Sequence, residues 1–441
     1  MEKSVFKNFT KYVSLNILGM LGLSLYILAD TYFVSKALGS MGIASLNLSI
    51  PIFCVIHGIG LMIGIGGATR FSILRSRSKA KQANGVFSNC LKLGAAIGVL
   101  LLLIGVFGAK FLAFALGADM LTLPATQTYL TTILSFAPFF ILNNIMLAFV
   151  RNDNNPKLSM IAMLVGSLSN IILDYIFMFP LNMGMFGAAF ATGFAPITSI
   201  FVLVFHFASK NNHVKVIKSK LKMSLVRDVF SLGLSSFIIE VSSAVFLITL
   251  NIVILRIEGN LGVAAYAIVA NLSLVVIAIF TGLAQGTQPL ISKYFGQESF
   301  ETLEKVRRYA LTTALVIAFT IYAFTVMFSE SIVQIFNSEN NATVAHIADI
   351  GLKIYFLGFF FAGVNIVVTM FLSATENIKD ALSISMLRGL IIIVPMVLVL
   401  SQFWDMAGVW FAFVITELIV TAISIYLKRS RDKPAILLRD N

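Results

Sequence analysis

Residues 39–51 read GSMGIASLNLSIP, and 220 positions later residues 259–271 read GNLGVAAYAIVAN. Three further pairs are separated by 220 or 221 positions: Gly66 with Gly286, Asn144 with Asn365, and Gly187 with Gly408. Similarity at one fixed separation is the sequence signature of an internal repeat. The chain of 441 residues is therefore predicted to contain two copies of one structural unit.

The composition is that of a membrane protein. Apolar residues make up 58% of the chain and charged residues 12%, whereas soluble proteins carry roughly a quarter charged residues. A soluble enzyme, a secreted disulfide scaffold and a disordered chain are therefore excluded. A membrane helix needs about 20 apolar residues, and twelve such runs lie at 12–35, 43–69, 86–112, 127–150, 158–179, 186–208, 230–255, 263–291, 308–336, 346–374, 382–401 and 406–427.

The repeat and the apolar runs together predict an all-α polytopic membrane protein with twelve transmembrane helices in two six-helix bundles. We expect the bundles at 1–209 and 229–441, joined by a basic cytoplasmic linker at 210–228. Because six is even, both copies enter the membrane in the same direction, which predicts a pseudo-twofold axis along the membrane normal. This plan is typical of alternating-access carriers, in which the substrate site lies between the halves.

The positions of Lys and Arg predict the orientation. If the N-terminus is inside, 27 of the 32 basic residues, Arg388 among them, fall in cytoplasmic segments. The remaining five lie near the other side or just inside a helix: Lys36, Lys110, Arg256, Lys353 and Lys92. Both termini are therefore predicted to be cytoplasmic, in a multi-pass protein of the inner (plasma) membrane. The charge of +12 is spread over every inner loop, which indicates no nucleic-acid partner, and we expect a monomer in the lipid bilayer.

Two acids lie inside predicted membrane helices of the first bundle. Asp30 and Asp174 fall at similar depth in the outer half, with Asn170 one turn from Asp174 and Thr192 on the sixth helix. An unpaired acid in a membrane helix costs about 2.5–3.5 kcal/mol, and we expect no basic partner except Lys36 at the outer edge. The four side chains fit one site for a shared proton or a hard cation such as Na⁺. For Asn170 and Thr192 alone, hydrogen bonding between helices is an equally good explanation.

The second bundle does not repeat this set. Glu240 lies near the midplane of the seventh helix, and Asn365 of the tenth helix lies at comparable depth. We assign both to substrate binding, although Glu240 is also a candidate proton site or a protonated side chain bonded to a carbonyl. His57 in the second helix is a possible proton relay, but packing is the simpler interpretation for a lone histidine.

The chain contains no Walker A, zinc-ligand or nucleophile-elbow motif. We therefore expect no enzyme activity, no cofactor and no metal beyond a possible Na⁺ at Asp30, Asn170, Asp174 and Thr192.

Several stretches resemble the MATE family of multidrug and toxic compound extrusion transporters, particularly its MepA-like bacterial branch. The resemblance covers essentially the whole chain and rests on the duplication and on three stretches: ADTYFVSKALGSMGIASLNLSIPI (29–52), RNDNNPKLSM (151–160) and SNIILDYIFMFPLNMGMFGAAFAT (169–192). It implies a cation-coupled exporter of organic cations whose coupling site contains Asp30, Asn170, Asp174 and Thr192, with Asn144 as the member from helix four. Some members have a second site with an acid on helix seven and another on helix ten. Glu240 matches the first acid, but Asn365 stands in place of the second.

We therefore expect an antiporter in which inward flow of H⁺ or Na⁺ drives export of lipophilic cationic drugs, and the sequence leaves the coupling ion open. The alternatives are a lipid-linked saccharide flippase, which would need several cationic residues in the cleft, and a membrane signalling or scaffold protein, which would not need buried acids.

Overall fold

A computed structural model describes residues 2–209, 212–337 and 341–437, with side chains for those between 4 and 427. The described residues form α-helices, one 3-10 turn and one π-helical turn, with no strand. The helices are α1 (Glu2–Ser76), α2 (Ala80–Ala115), α3 (Leu123–Ser135), α4 (Ala137–Asn152), α5 (Pro156–Met178), α6 (Gly184–Ala208), α7 (Met223–Gly296), α8 (Phe300–Phe336), α9 (Ala342–Tyr355), α10 (Phe359–Ala374), α11 (Ile378–Met386) and α12 (Ile393–Leu437). The 3-10 turn Phe356–Gly358 joins α9 to α10, and the π-helical turn Leu387–Ile391 follows α11.

Breaks in the longest helices bring them to membrane length. Eight described helical stretches are long and apolar enough to cross a membrane, and the pair α3 and α4, bent by 47°, makes nine. Four of the nine contain a break: at Gly39 in α1, at Gly259 in α7, at Phe328 in α8 and at Trp404–Asp405 in α12. The break at Phe328 leaves only eight residues of α8 after it, whereas each of the other three separates two pieces of membrane length. An unbroken α1 of 75 residues would be about 110 Å long, against a hydrocarbon core of about 30 Å. The breaks therefore give twelve spanning segments, and the predicted fold class is confirmed.

The backbone geometry repeats as the sequence does. Gly39 has φ +63° and ψ −154°, and Gly259, 220 positions later, has φ +61° and ψ −149°. These angles are available almost only to glycine. Ser78 after α1 and Glu298 after α7, again 220 positions apart, both have positive φ. The internal repeat is therefore present in local structure as well as in sequence.

Contacts between helices divide the chain into two compact units, Met1–Val241 with Gln285–Val306, and Ser242–Ala284 with Arg307–Asn441. The predicted division into bundles at 1–209 and 229–441 stays a prediction. The first residues of the predicted linker, 210 and 211, lie outside the described residues, as does Arg439 at the basic carboxyl end.

Large apolar side chains cover much of the outer surface. Phe107 and Phe111 of α2 are 83% and 76% exposed, and Ile335 of α8 is 77% exposed. A soluble monomer rarely carries such surfaces, whereas lipid tails solvate them. Inside the first unit, the buried Phe149 ring packs 4.9 Å from Phe87 and 5.4 Å from Phe71, measured between ring centroids.

Candidate functional site

The acid pair predicted from the sequence forms inside the first unit. Asp30 of α1 is 7% exposed and Asp174 of α5 is fully buried. Their carboxyl groups lie close enough for a hydrogen bond to form between them. An ionised carboxylate only accepts hydrogen bonds, so a bond between two carboxyl groups requires a proton on one of them. The Oδ1 atoms of both residues are buried without a hydrogen-bond partner among the described residues.

Asn170 and Thr192 complete the cluster. Both are buried, and Asn170 Nδ2 lies 3.3 Å from Thr192 Oγ1. With its amide turned over, Asn170 donates to Asp174 Oδ2 at 3.1 Å and accepts from the Thr192 backbone N–H at 3.2 Å. This orientation satisfies both amide atoms, so it is the better one. The structure thus brings the four predicted residues together; that they bind a cation stays a prediction.

Two buried tyrosines accompany the acids. Tyr129 of α3 lies beside Thr192, and Tyr26 of α1 lies close enough to Asp30 and Asp174 to interact electrostatically. Neither tyrosine was predicted from the sequence. Tyr26 precedes Asp30 by four residues, which places the two on one face of the helix. That spacing was a usable signal, but Tyr129 comes from a different helix and had none.

A cavity adjoins the cluster within the first unit. It contains about 490 Å³ of empty space, part of it open to solvent. Its lining combines aromatic rings with small polar side chains: Leu23, Tyr26, Phe53, His57, Phe140, Asn143, Asn144, Leu147, Met163, Gly166, Ser167, Ala195, Pro196 and Ser199. Asn143 Oδ1 and Ser199 Oγ are buried without a partner among the described residues. Unpaired oxygens beside aromatic faces, with no Lys or Arg in the lining, suit an organic cation.

Asn144 belongs to this cavity. Its Nδ2 donates to the Phe140 carbonyl of its own helix at 3.2 Å, and no hydrogen bond joins it to the four clustered residues. Asn144 packs directly against Gly60 of α1. The contact is so close that a Cβ on Gly60 would lie only 2.8 Å from Asn144 Nδ2. The predicted coupling role of Asn144 stays a prediction.

Glu240 has a partner in His57, for which packing was the simpler interpretation from the sequence. His57 Nδ1 lies 3.5 Å from Glu240 Oε2, and both side chains are about one quarter exposed. His57 also stacks on Phe53, with ring centroids 6.0 Å apart and an interplanar angle of 7°. His57 thus lines the cavity and contacts the acid, and its role as a proton relay stays a prediction.

Asn365 lies in a buried charged cluster of the second unit. Its Nδ2 donates to Glu417 Oε2 at 2.6 Å and to the Glu417 backbone carbonyl at 2.9 Å. Arg388 in the π-helical turn donates to Glu417 Oε1 through Nη2 at 2.7 Å and Nε at 3.1 Å. These contacts occupy the Asn365 amide inside the unit. Its predicted role in substrate binding stays a prediction.

The Arg388–Glu417 pair corrects one expectation. Arg388 does not lie in a cytoplasmic loop, because it falls inside an apolar helical stretch at Ile378–Leu427. Pairing explains the error, since a neutralised Arg costs far less to insert than an isolated one.

Within the described residues no group of three or more His, Cys, Asp or Glu side chains could hold a metal ion. A Na⁺ ion in the cluster would therefore use two carboxylates with neutral oxygens of Asn170 and Thr192.

Comparison with known proteins agrees with the repeat and the fold. A family model described as MatE matches residues 16–176 and 236–399, and the two matches begin 220 residues apart. Multidrug export protein MepA of Staphylococcus saprophyticus subsp. saprophyticus is 27% identical over 444 residues, covering 99% of this chain and 97% of that protein. Its counterpart from Staphylococcus aureus strain MRSA252 is 26% identical over 438 residues, covering 98% and 96%.

Two solved structures share the fold. One, the outward-facing conformation of a multidrug resistance MATE family transporter of the MOP superfamily, has a TM-score of 0.90 at 22% identity and covers 96% of this chain and 95% of that one. The other, MATE in complex with MaL6, has a TM-score of 0.91 at 23% identity and covers 96% of each chain.

Proposed function

Because this chain belongs to the MatE family, we propose that it is a cation-coupled multidrug antiporter of the cell membrane. Inward flow of H⁺ or Na⁺ drives export of lipophilic organic cations by alternating access. The relatives are multidrug export proteins, which supports this substrate class. The termini and the segment 212–222 face the cytoplasm in this proposal, as the distribution of Lys and Arg indicates.

The adjacent pair of buried carboxyl groups carries the proposal. In this proposal Asp30 and Asp174 share one proton, because losing it would leave two negative charges side by side in a low dielectric. The pair therefore binds a proton or a replacement cation readily. The direct carboxyl–carboxyl contact favours H⁺, whereas Na⁺ would have to enter between the carboxylates and recruit Asn170 and Thr192.

Glu240, His57 and the cavity supply the substrate side. The partly buried acid Glu240 attracts an organic cation, and the aromatic rings of Phe53 and Phe140 provide apolar contact. In this proposal His57, 3.5 Å from Glu240, is its neighbour on the cavity side.

Coupling requires that ion and drug favour different conformations, since a ligand that binds both conformations equally shifts no equilibrium. Protonation changes the charge at the junction of α1 and α5, and Asn170 and Thr192 extend that junction to α6. Repacking of these three helices beside the cavity is the proposed link to drug affinity.

The test is export of a cationic dye from proteoliposomes under an imposed pH gradient or, separately, a Na⁺ gradient. We expect Asp30→Asn and Asp174→Asn each to lower gradient-driven export at least tenfold while dye binding stays measurable and loses its ion dependence. Glu301→Gln on α8, an acid whose side chain is 84% exposed, is the matched control and should export normally. Normal export by the double variant Asp30→Asn with Asp174→Asn would refute the proposal.

Two further variants identify the coupling ion. Asn170→Ala and Thr192→Ala delete neutral oxygens and should impair Na⁺-driven export more than H⁺-driven export, because Na⁺ needs several ligands and a proton needs one. Equal effects on both gradients would contradict a Na⁺ site.

The same assay separates the alternatives. A flippase would need free cationic residues to hold phosphates, but the cavity lining contains no Lys or Arg and Arg388 is engaged by Glu417. A signalling or scaffold protein would show no substrate-dependent proton movement.

A further inference from the structure

The segment 212–222 between α6 and α7, which we call the strap, is fixed to the first unit. It has no helix or strand, yet its backbone is held by side chains from one face of α2. Three hydrogen bonds run along this face: Lys215 N to Asn84 Oδ1 at 3.1 Å, Ile217 N to Ser88 Oγ at 2.9 Å, and Lys92 Nζ to Ser219 O at 2.7 Å. The strap is therefore an ordered element and not a free tether.

Asp153, directly after α4, anchors the beginning of the strap. Its Oδ2 accepts from the backbone N–H groups of His213 at 2.7 Å and Val214 at 3.2 Å, and from His206 Nε2 at 2.9 Å. Burial tends to raise the pKa of Asp153, but the hydrogen bonds from His206 and His213 hold that pKa below its ordinary value. The carboxylate thus stays ionised and keeps the strap in place at neutral pH.

The outer side of the strap is strongly basic. Its four lysine side chains are exposed: Lys215, Lys218, Lys220 and Lys222. Val214 is 1% exposed and faces inward. No acid occurs between residue 212 and Asp228. The strap therefore presents four exposed positive charges on a fixed backbone, so that binding an anion requires little further ordering.

The strap reaches the level of the membrane surface. Lys92 is the last charged residue of α2 before the uncharged run 93–109, which is about 25 Å long as a helix and so fills most of the hydrocarbon core. Because Lys92 binds Ser219, the end of the strap lies where that core begins. There Leu221 and Met223, 53% and 79% exposed, alternate with Lys220 and Lys222. Alternating lysine and apolar side chains are typical of segments that lie among lipid head groups.

We propose that the strap is a docking surface for anionic phospholipids. Its lysines bind the phosphate-bearing head groups, and Leu221 and Met223 enter the adjoining acyl region. In the orientation proposed above this is the inner leaflet, whose surface carries anionic lipid. Charge and depth in the membrane favour lipid over an acidic protein segment, which would not need the exposed apolar side chains.

The first test measures binding of fluorescent phosphatidylglycerol to the full-length purified transporter in mixed micelles. One variant carries Lys215→Gln, Lys218→Gln, Lys220→Gln and Lys222→Gln. A matched control removes the same charge from scattered exposed positions: Lys7→Gln, Lys11→Gln, Lys157→Gln and Lys379→Gln. Each lysine near an anionic surface contributes about fivefold in affinity. We expect the strap variant to bind at least about tenfold more weakly and the control to change by less than about twofold.

Three results would overturn the proposal. Equal losses in both variants would mean that only net charge matters. Displacement of the lipid by soluble glycerol phosphate at similar concentration would assign the site to free phosphate. Equal binding of phosphatidylcholine would remove the requirement for an anionic head group.

A second variant tests the fixed geometry without removing charge. Asn84→Ala with Ser88→Ala deletes two of the acceptors that hold the strap on α2. We expect phosphatidylglycerol affinity to fall several-fold. Unchanged affinity would refute the claim that fixing the strap matters. All these outcomes are independent of drug export, so they do not depend on the coupling mechanism.

Discussion

The ion pair in the second unit gives the sharpest stability prediction. The side chains of Glu417 and Arg388 are 3% and 12% exposed, so solvent screens their interaction little. Glu417→Gln keeps the shape but leaves the guanidinium without a counter-charge. Breaking a buried pair in this way costs about 3–5 kcal/mol. We expect a loss of that size in the free energy of unfolding, measured by denaturant titration in detergent.

The double variant Glu417→Gln with Arg388→Gln separates pairing from packing. It removes both charges together, and such replacements are often nearly neutral because the desolvation penalty disappears too. We therefore expect it to regain most of the stability that the single variants lose, with a coupling energy of several kcal/mol in the double-mutant cycle. Additive losses would show that the two side chains do not interact and would refute the reasoning.

Four other predictions follow from single observations. Asp153→Asn should lower stability at pH 7 by about 2 kcal/mol or more, because hydrogen bonds to a charged group are lost. The pKa of Asp153 is depressed in the folded state, so this difference should persist above about pH 4 and vanish as pH falls further, in urea titrations at each pH. Gly259→Ala should cost about 1–3 kcal/mol by strain alone, since its φ is positive and no atom lies within 4 Å of its added Cβ. Gly108→Ala lies in a regular helix, where the added Cβ would make an ordinary contact with Ile104 Cγ2 at 3.8 Å, so it should be neutral or stabilising; equal effects in thermal unfolding would contradict this. Glu240→Gln should weaken binding of cationic dyes more than neutral ones in fluorescence titrations, and equal loss would indicate a packing role. Lys218→Cys should resist an impermeant thiol reagent in intact cells, and labelling from outside would reverse the proposed topology.

The architecture could be predicted because it depends on long-range averages of the sequence. The length of each apolar run matches the thickness of the bilayer, and the constant separation of 220 residues indicates the duplication. The acid cluster was also predictable, since Asp30 and Asp174 are costly to insert wherever they point. Asn170 and Thr192 could be grouped with them because helix length alone places them at similar depth.

The features that could not be predicted from the sequence depend on which side chains contact each other in the fold. Glu417 and Arg388 are 29 residues apart and lie on different helices, so neither hydropathy nor spacing indicates the pair. The cost of a buried charge predicts a partner only when the charge is known to be buried, and Arg388 was assigned to a loop. The strap was identified as a basic linker, but its attachment depends on ordinary side chains of α2 such as Asn84 and Ser88.

The two units share backbone geometry yet hold different buried charges. Asp30 and Asp174 are two acids side by side, and in the mechanism proposed above this pair takes up and releases the coupling ion. Arg388 and Glu417 are opposite charges that bond each other, so they need no ion to neutralise them. We therefore propose that the coupling ion acts on the first unit, whereas the Arg388–Glu417 pair stabilises the packing of the second. On this proposal, substitutions at Asp30 should alter ion dependence and substitutions at Glu417 should alter stability.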